Sequence, residues 1–118
     1  MKTVYRNRKL LDLAHRVTAC QFLLPVCIGI SPEGCEPAHS NMGAHGKSMG
    51  MKAADDQHVA SCPNCHRLYD GQLGYVMPRE QANKLFNDAR TRTFALYARM
   101  GWLEEVGYIH EEPAGVEW

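Results

Sequence analysis

Five cysteines, arranged as two close pairs and one single residue, are the feature that most constrains how this chain of 118 residues can fold. Cys62 and Cys65 are separated by two residues, so two thiolates on a turn could bind one ion. Cys20 and Cys27 form a wider pair, and a pairing of Cys27 with Cys35 competes with it. Four thiolates suit a tetrahedral zinc site. We therefore expect one structural Zn²⁺ bound by Cys20, Cys27, Cys62 and Cys65, with Cys35 left free.

The rest of the chain favours a metal over disulfide bonds. No apolar run approaches the ~18–20 residues that span a bilayer, and no apolar signal core follows the N-terminus. We expect a cytoplasmic protein with no membrane segment, in which thiols stay reduced. Two other interpretations of the cysteines remain: buried thiols that pack as small apolar groups, and a redox pair at Cys62 and Cys65. The redox interpretation lacks the preceding strand–helix–strand pattern that it needs.

Length and composition indicate a single domain over residues 1–118, with 45% hydrophobic residues and a core small enough to benefit from a metal cross-link. We expect a metal-binding core in residues 18–72, a packing helix in residues 78–103 and a flexible tail in residues 109–118. The fold class that we expect is α+β: a small zinc-stapled ββα-metal core, flanked by an N-terminal helix and a long C-terminal amphipathic helix.

Two stretches have helical periodicity. Residues 7–17 begin at Asn7, a suitable N-cap, and their apolar positions recur with helical spacing at Leu10, Leu13, Ala14 and Val17. Residues 78–100 begin with Pro78 and are followed by Gly101, a common pair of helix boundaries. Their apolar stripe consists of Ala82, Leu85, Phe86, Ala89, Thr93, Leu96, Tyr97 and Met100.

The stretch between the cysteine pairs predicts two short strands around an irregular, glycine-rich loop. Residues 35–39 contain Pro37, which restricts a strand to the edge of a sheet. Residues 55–61 form a second strand or an extended turn that leads to Cys62. A helix is expected to start within Cys62–Cys65 and to run to about Asp70, because Gly71 suits its C-terminal end.

Three polar side chains outside the cysteine pairs form a second candidate centre. His66 and Asp70 are four residues apart on the predicted helix and share a face, so they could jointly bind Mg²⁺, Mn²⁺ or Ni²⁺. His39, on the first predicted strand, could accept a proton from water. A general base and a metal ion are the minimum for phosphodiester hydrolysis. The alternative for each histidine is a structural hydrogen bond.

The charges are unevenly spread along the chain. Residues 1–99 carry all 13 Lys and Arg but 8 of the 13 Asp and Glu, a net charge of +5, and every charged residue after Arg99 is a glutamate. A basic body favours a phosphate-bearing partner, although an ordinary mixed surface would also fit. We expect DNA as the partner. The expected phosphate contacts are Arg6, Arg8, Lys9, Arg16, Lys47 and Lys52.

These motifs together resemble the HNH, or ββα-metal, endonucleases, and among them a group of phage and prophage nucleases. The matching segments cover about the middle half of the chain and are Cys20–Cys27, Pro37–His39, Met49–Asp55 and Cys62–Gly71. The resemblance implies a β-hairpin and a helix that grip a catalytic metal, with a zinc that clamps the hairpin to the helix. It also implies DNA cleavage, with His39 as general base and His66 as a ligand of the catalytic metal.

The sequence departs from the HNH pattern at two places. Ala38 stands where many of these enzymes have an acid or a histidine before the general base. Their middle asparagine is not evident, although Asp55, Asp56 and Gln57 lie near its place and Asn41 is a further candidate. A second class of function therefore stays open: a zinc-stabilised nucleic-acid-binding or adaptor module without cleavage.

Overall fold

Two antiparallel strands and four helices make up the regular structure of the computed structural model, which describes residues 4–48 and 50–108. The tail expected at residues 109–118 lies outside the described residues. In chain order the elements are α1 (Arg8–Asp12), β1 (Glu36–His39), β2 (His58–Ser61), α2 (Pro63–Tyr69), α3 (Arg79–Arg99) and α4 (Trp102–Glu105). Short 3-10 turns lie at Leu13–Arg16 and Gly43–His45. The expectation of a small α+β fold is confirmed at this level.

The register of the sheet explains how β1 accommodates a proline. Pro37 has no N–H to donate, but it lies opposite Ala60, whose backbone groups do not bond to β1. No hydrogen bond of the sheet is therefore lost. Ala60 bonds away from β1: its N–H donates to Thr93 Oγ1 at 3.2 Å, and its carbonyl accepts from the Gln21 N–H at 2.9 Å. The outer edge of β2 is thus covered by α3 and by the loop that carries the first cysteine pair.

The N-terminal helix begins where the sequence predicts but is shorter. Asn7 is the N-cap of α1, and its side chain accepts a hydrogen bond from the Leu10 N–H at 3.1 Å. The α-helical pattern ends at Asp12 and tightens into the 3-10 turn, and Val17 is already extended. The chain leaves the helix there because the Val17 carbonyl accepts a hydrogen bond from the Cys35 N–H. The four predicted apolar residues are all buried: Leu10, Leu13, Ala14 and Val17.

Helix α3 connects two apolar clusters that form the core. Phe86 and Ala89 pack with the cysteine region, β1 and α2, whereas Phe94 and Tyr97 pack with α1, Cys35 and α4. The predicted stripe is wrong at Met100, which is 54% exposed because it follows the last packed turn of α3. Phe94 was not expected in the core, yet it is 1% exposed. None of the helices in the described part of the chain is long and apolar enough to cross a bilayer.

Candidate functional site

Four of the five cysteines meet in one cluster. The Sγ atoms of Cys20, Cys27, Cys62 and Cys65 all lie within 4.8 Å of one another. Tetrahedral Zn²⁺ with Zn–S bonds of about 2.3 Å places its sulfur ligands roughly 3.8 Å apart, so small side-chain adjustments would close the cluster on an ion. Cys35 is buried in the other half of the core, among residues of α1, α3 and α4. The cluster could hold a metal ion such as zinc.

Local structure brings the four sulfur atoms together. Cys62 directly follows β2 and is the N-cap of α2, and Cys65 lies in the first turn of that helix. The loop between Cys20 and Cys27 is folded by hydrogen bonds from Cys20 N–H to Gly29 O and from Cys27 N–H to Leu24 O, both 2.9 Å long. Arg92 of α3 secures the same loop from outside by donating to the Gln21 carbonyl at 2.7 Å.

Hydrogen bonds to the sulfur atoms favour the binding of a metal cation in this cluster. Backbone N–H groups donate to Cys20 Sγ from Cys62, to Cys27 Sγ from Gly29 and to Cys62 Sγ from Cys65, at 3.3, 3.3 and 3.4 Å. The hydrogen bond from the Cys65 side chain is the main cause that lowers the pKa of Cys20 to about 4, and the same bond raises the pKa of Cys65. Burial raises the pKa of Cys27. A bound cation would favour all four thiolates at once.

The second candidate centre lies in an open pocket of about 470 Å³. Its lining includes His39 from the end of β1, His66 from α2 and Asp70 from the end of α2. Lys47 and Lys52, from the loop between the strands, line the same pocket. The structure therefore brings together the three predicted catalytic side chains and two of the six predicted phosphate-binding cations. We call this the histidine pocket.

Two carboxylates flank the ring of His66. Its Nδ1 lies 2.8 Å from Glu36 Oε1, and its Nε2 lies 3.2 Å from Asp70 Oδ2. The hydrogen bond with Asp70, followed by that with Glu36, raises the pKa of His66 against the opposing effect of burial. Two ligands at right angles around an ion with bonds of about 2.1 Å are roughly 3.0 Å apart. The His66 and Asp70 side chains are therefore spaced as neighbouring ligands of one ion would be.

His39 is held by a buried carboxylate. Its Nε2 lies 3.1 Å from Asp55 Oδ1, which also receives Arg6 Nη1 at 3.1 Å, while Asp55 Oδ2 accepts the Asn7 N–H at 2.8 Å. Burial alone would raise the pKa of Asp55, but the hydrogen bonds from His39, Asn7 and Arg6 outweigh it and lower the pKa. Because a carboxylate only accepts hydrogen bonds, the tautomer with the proton on Nε2 is the one that bonds to Asp55. That tautomer leaves Nδ1 as the acceptor.

The sequence did not point to the partners of either histidine. Glu36 lies 30 residues from His66, and Asp55 lies 16 residues from His39. Asp55 is one of several candidates that the sequence offers for the missing middle asparagine, whereas no motif singles out Glu36. The only feature of the sequence that could have drawn attention to Glu36 is its position at the start of the predicted strand that leads to His39.

The remaining predicted phosphate contacts are distributed differently. Arg6 donates to the Ala53 and Lys52 carbonyls at 2.6 and 2.8 Å, in addition to Asp55, and so joins the N-terminal segment to the loop before β2. Arg16 forms an ion pair with Glu105 at 2.5 Å. Arg8 and Lys9 are exposed on α1. The guanidinium groups of Arg6 and Arg16 thus already have protein partners.

The described structure defines a small α+β protein with a four-cysteine candidate metal centre next to a histidine pocket. Comparison of the chain with models of known families, with curated proteins and with solved structures gives no match in any of the three.

Proposed function

We propose that this protein is a metal-dependent endonuclease that hydrolyses phosphodiester bonds in DNA, with a structural Zn²⁺ bound by the four clustered cysteines. The observation that carries the proposal is the histidine pocket, in which His39, His66 and Asp70 face the same space as Lys47 and Lys52. The chain order β1, β2, α2 is also the order that the resemblance to the HNH endonucleases implies. On that resemblance, the chain would be a phage or prophage nuclease.

The proposed zinc joins the loop that carries Cys20 and Cys27 to the start of α2, the helix that contributes His66 to the histidine pocket. The cysteine pair of the loop and the pair at the start of α2 come from separate stretches of the chain. These stretches also contact each other through the packing of Phe22 and Leu24 and through the hydrogen bond from Asn64 to the Val26 carbonyl at 3.3 Å. Cys65 immediately precedes His66. Fixing the first turn of α2 therefore also fixes the position of the His66 ring.

His39 is the proposed general base. Asp55 orients the ring and favours the tautomer whose Nδ1 accepts a proton, and this nitrogen has no hydrogen bond within the described residues. A neutral imidazole can take a proton from water near pH 7. Asp55 is thus a positioning residue that acts through His39.

His66 and Asp70 are the proposed ligands of a catalytic Mg²⁺, Mn²⁺ or Ni²⁺. Such an ion, when bound, supplies positive charge beside the leaving oxygen of the phosphodiester. Glu36 accepts a hydrogen bond from the Nδ1–H of His66. The lone pair that would bind the ion is then on Nε2, which faces Asp70. This is the way that carboxylates commonly support histidine ligands from behind.

Lys47 and Lys52 are the proposed phosphate contacts inside the pocket, and Arg8 and Lys9 are proposed contacts further along the surface. Such contacts neutralise phosphates and release counterions. The affinity for DNA should therefore fall steeply as the salt concentration rises.

One observation favours the second candidate, a zinc-stabilised module that binds nucleic acid or acts as an adaptor without cleaving. Both nitrogens of His66 already have carboxylate partners. A histidine with a purely structural role would have the same surroundings. Binding of a divalent ion at His66 and Asp70 separates the two functions.

Cleavage of supercoiled plasmid with Mg²⁺ or Mn²⁺ tests the proposed function. We expect wild type to nick or linearise the plasmid and His39→Ala to be slower by roughly 10²–10⁴-fold, with unchanged zinc content and DNA affinity. His66→Ala and Asp70→Ala should lose activity and bind Mn²⁺ more weakly. His15→Ala, which changes an exposed histidine outside the pocket, is the matched control and should cleave like wild type. A wild type that binds DNA but stays inert with every divalent ion would support the adaptor function instead.

A further inference from the structure

A second cavity adjoins the histidine pocket. It has a volume of about 540 Å³ and lies between the loop after β1, the end of α2 and the start of α3. Asn41 lines both cavities, so they open on the two sides of one residue. We call this second space the side cavity.

The wall between the two cavities is firmly held. The Asn41 N–H donates to the Tyr69 hydroxyl at 2.9 Å, and the Asn41 side chain donates to the Tyr69 carbonyl at 3.3 Å. Tyr69 is itself fixed by ring contacts with Phe22 and Phe86. These contacts hold the side cavity beside the histidine pocket, as two neighbouring parts of one ligand would need.

The lining of the side cavity combines apolar surface with neutral and cationic hydrogen-bond donors. Met42, Val76 and Met77 provide apolar surface, and Arg79 and Asn83 provide a guanidinium and an amide. No aspartate or glutamate is among the described residues that line it. A flat apolar ring with polar edges, attached to an anion, fits this chemistry. A metal ion does not fit it, because carboxylate and thiolate ligands are lacking.

The loop between α2 and α3, which contributes Val76 and Met77 to the side cavity, exposes large apolar side chains. Val76 is 77% exposed and the preceding Tyr75 is 56% exposed. Tyr75 makes no ring contact or side-chain hydrogen bond within the described part of the chain. Exposed aromatic and aliphatic groups beside a basic pocket are the surfaces on which nucleobases stack.

We propose that the side cavity binds an unpaired nucleobase next to the phosphodiester held in the histidine pocket. This inference rests on the proposed nuclease function and names its substrate class: DNA with an unpaired nucleotide at the cleavage site, as in a single strand, a flap or a branch point. A base inside a duplex is covered on both faces and hydrogen-bonded at its edge, so it cannot enter a cavity without leaving the stack. Asn83 reads the free base edge, and Arg79 contacts the adjoining phosphate.

Binding without cleavage tests the inference directly. The probe is a fluorescent single strand of about 12 nucleotides, compared with the duplex of the same sequence by anisotropy. The measurements use His39→Ala protein, which binds without cutting, in buffer with zinc retained. We expect the single strand to bind roughly tenfold more tightly than the duplex, the equivalent of about one stacked base.

Variants in α3 provide a matched comparison. Arg79→Ala and, independently, Asn83→Ala should each reduce the preference for the single strand, while duplex affinity changes little after Asn83→Ala. Arg99→Ala removes the same charge from the other end of α3, about 30 Å away along the helix, and should keep the preference. Equal affinities for the single strand and the duplex in the His39→Ala protein would overturn the inference. So would an Arg99→Ala variant that loses as much preference as Arg79→Ala.

Cleavage assays separate this inference from the proposed function. A wild type that cuts duplex and single strand at equal rates keeps the nuclease function and overturns the base-binding role. A wild type that cuts neither with any divalent ion, yet prefers single strands in a manner that depends on Arg79, overturns the nuclease function and supports the base-binding cavity.

Discussion

Cys35 and Cys62 are both fully buried thiols, but they have different surroundings. Cys62 lies in the four-cysteine cluster, where hydrogen bonds from backbone N–H groups reach three of the four sulfur atoms. Cys35 packs against α1 and α3, where burial raises its pKa to about 12 and keeps the thiol protonated. It also lies beside Ser31, whose buried hydroxyl group has no hydrogen-bond partner among the described residues.

Replacing these two cysteines by serine, one at a time, should affect the zinc content differently. Cys62→Ser should lose zinc and unfold, because structural zinc contributes on the order of 10 kcal/mol to a small domain. Cys35→Ser should keep one zinc per chain and fold, since its hydroxyl group can bond to Ser31. Metal analysis and circular dichroism of the purified variants check both outcomes. The ligand assignment fails if Cys35→Ser is the variant without zinc.

At the level of single residues, the sequence predicted which side chains lie together in the cysteine cluster and the histidine pocket, but not the groups that hold them. A close cysteine pair with a second pair upstream has few uses, so the four cysteines that the structure clusters could be named in advance. Asp55 and Glu36 could not be assigned to His39 and His66, because those contacts depend on the strand register and on the packing of α2. Neither the register nor the packing can be derived from the residues that neighbour these side chains in the sequence.

At the level of elements, the sequence predicted whether a stretch is a helix or a strand more reliably than the residues at which it begins and ends. β1, α2 and α3 begin and end within one or two residues of the expected positions because Pro37, Pro63, Pro78 and two glycines mark them. α1 is shorter than its apolar periodicity suggests, since a 3-10 turn preserves nearly the same buried face. Phe94 was missed because a 21-residue helix that joins two clusters buries more than one stripe.

Thr93 provides one of the two buried hydroxyl groups through which α3 bonds to β2, and Tyr97 provides the other. Thr93 Oγ1 accepts the Ala60 N–H and donates to the Ala89 carbonyl at 2.9 Å. Thr93→Val should cost about 1–3 kcal/mol of unfolding free energy, because the buried Ala60 N–H would lose its partner.

Thr91→Val is the matched control for this prediction. Thr91 makes the equivalent hydrogen bond to the Asn87 carbonyl, but on the exposed face of α3. Its replacement should change the free energy of unfolding by less than about 0.5 kcal/mol. Urea denaturation measures both variants. Equal losses in the two would show that the helix, and not its attachment to β2, accounts for the effect.

At the level of the whole molecule, His58 lies where the sheet, the Asp55 turn and α3 meet. Its Nδ1 donates to the Asp55 carbonyl at 2.7 Å, and its Nε2 accepts from the Tyr97 hydroxyl at 3.0 Å. Phe94 packs against the ring. Complete burial lowers the pKa of His58 to about 4, so this histidine is neutral in the folded protein at pH 7.

The global stability should therefore fall on acidification in a manner that depends on His58. The unfolded chain binds a proton at this residue below about pH 6.5, whereas the folded chain does so only below about pH 4. Between pH 7 and pH 5, wild type should lose about 2 kcal/mol more stability than His58→Gln, which has no proton to bind. Urea denaturation at the two pH values measures the difference. Comparison with the variant removes the effects of acid on the other titratable groups. Parallel losses in both proteins would contradict a neutral, buried His58.

Asp55 Oδ1 receives both Arg6 and His39, although those two residues lie in separate elements. A single oxygen atom that serves two partners makes their mutational effects non-additive. Under the proposed function, a substitution at Arg6 would reduce the rate of DNA cleavage when His39 is present. It would have almost no effect on that rate in a His39→Ala background. Natural variation at these two positions should therefore be correlated, and a screen that changes one residue at a time would rank Arg6 as catalytic although it lies outside the lining of the histidine pocket.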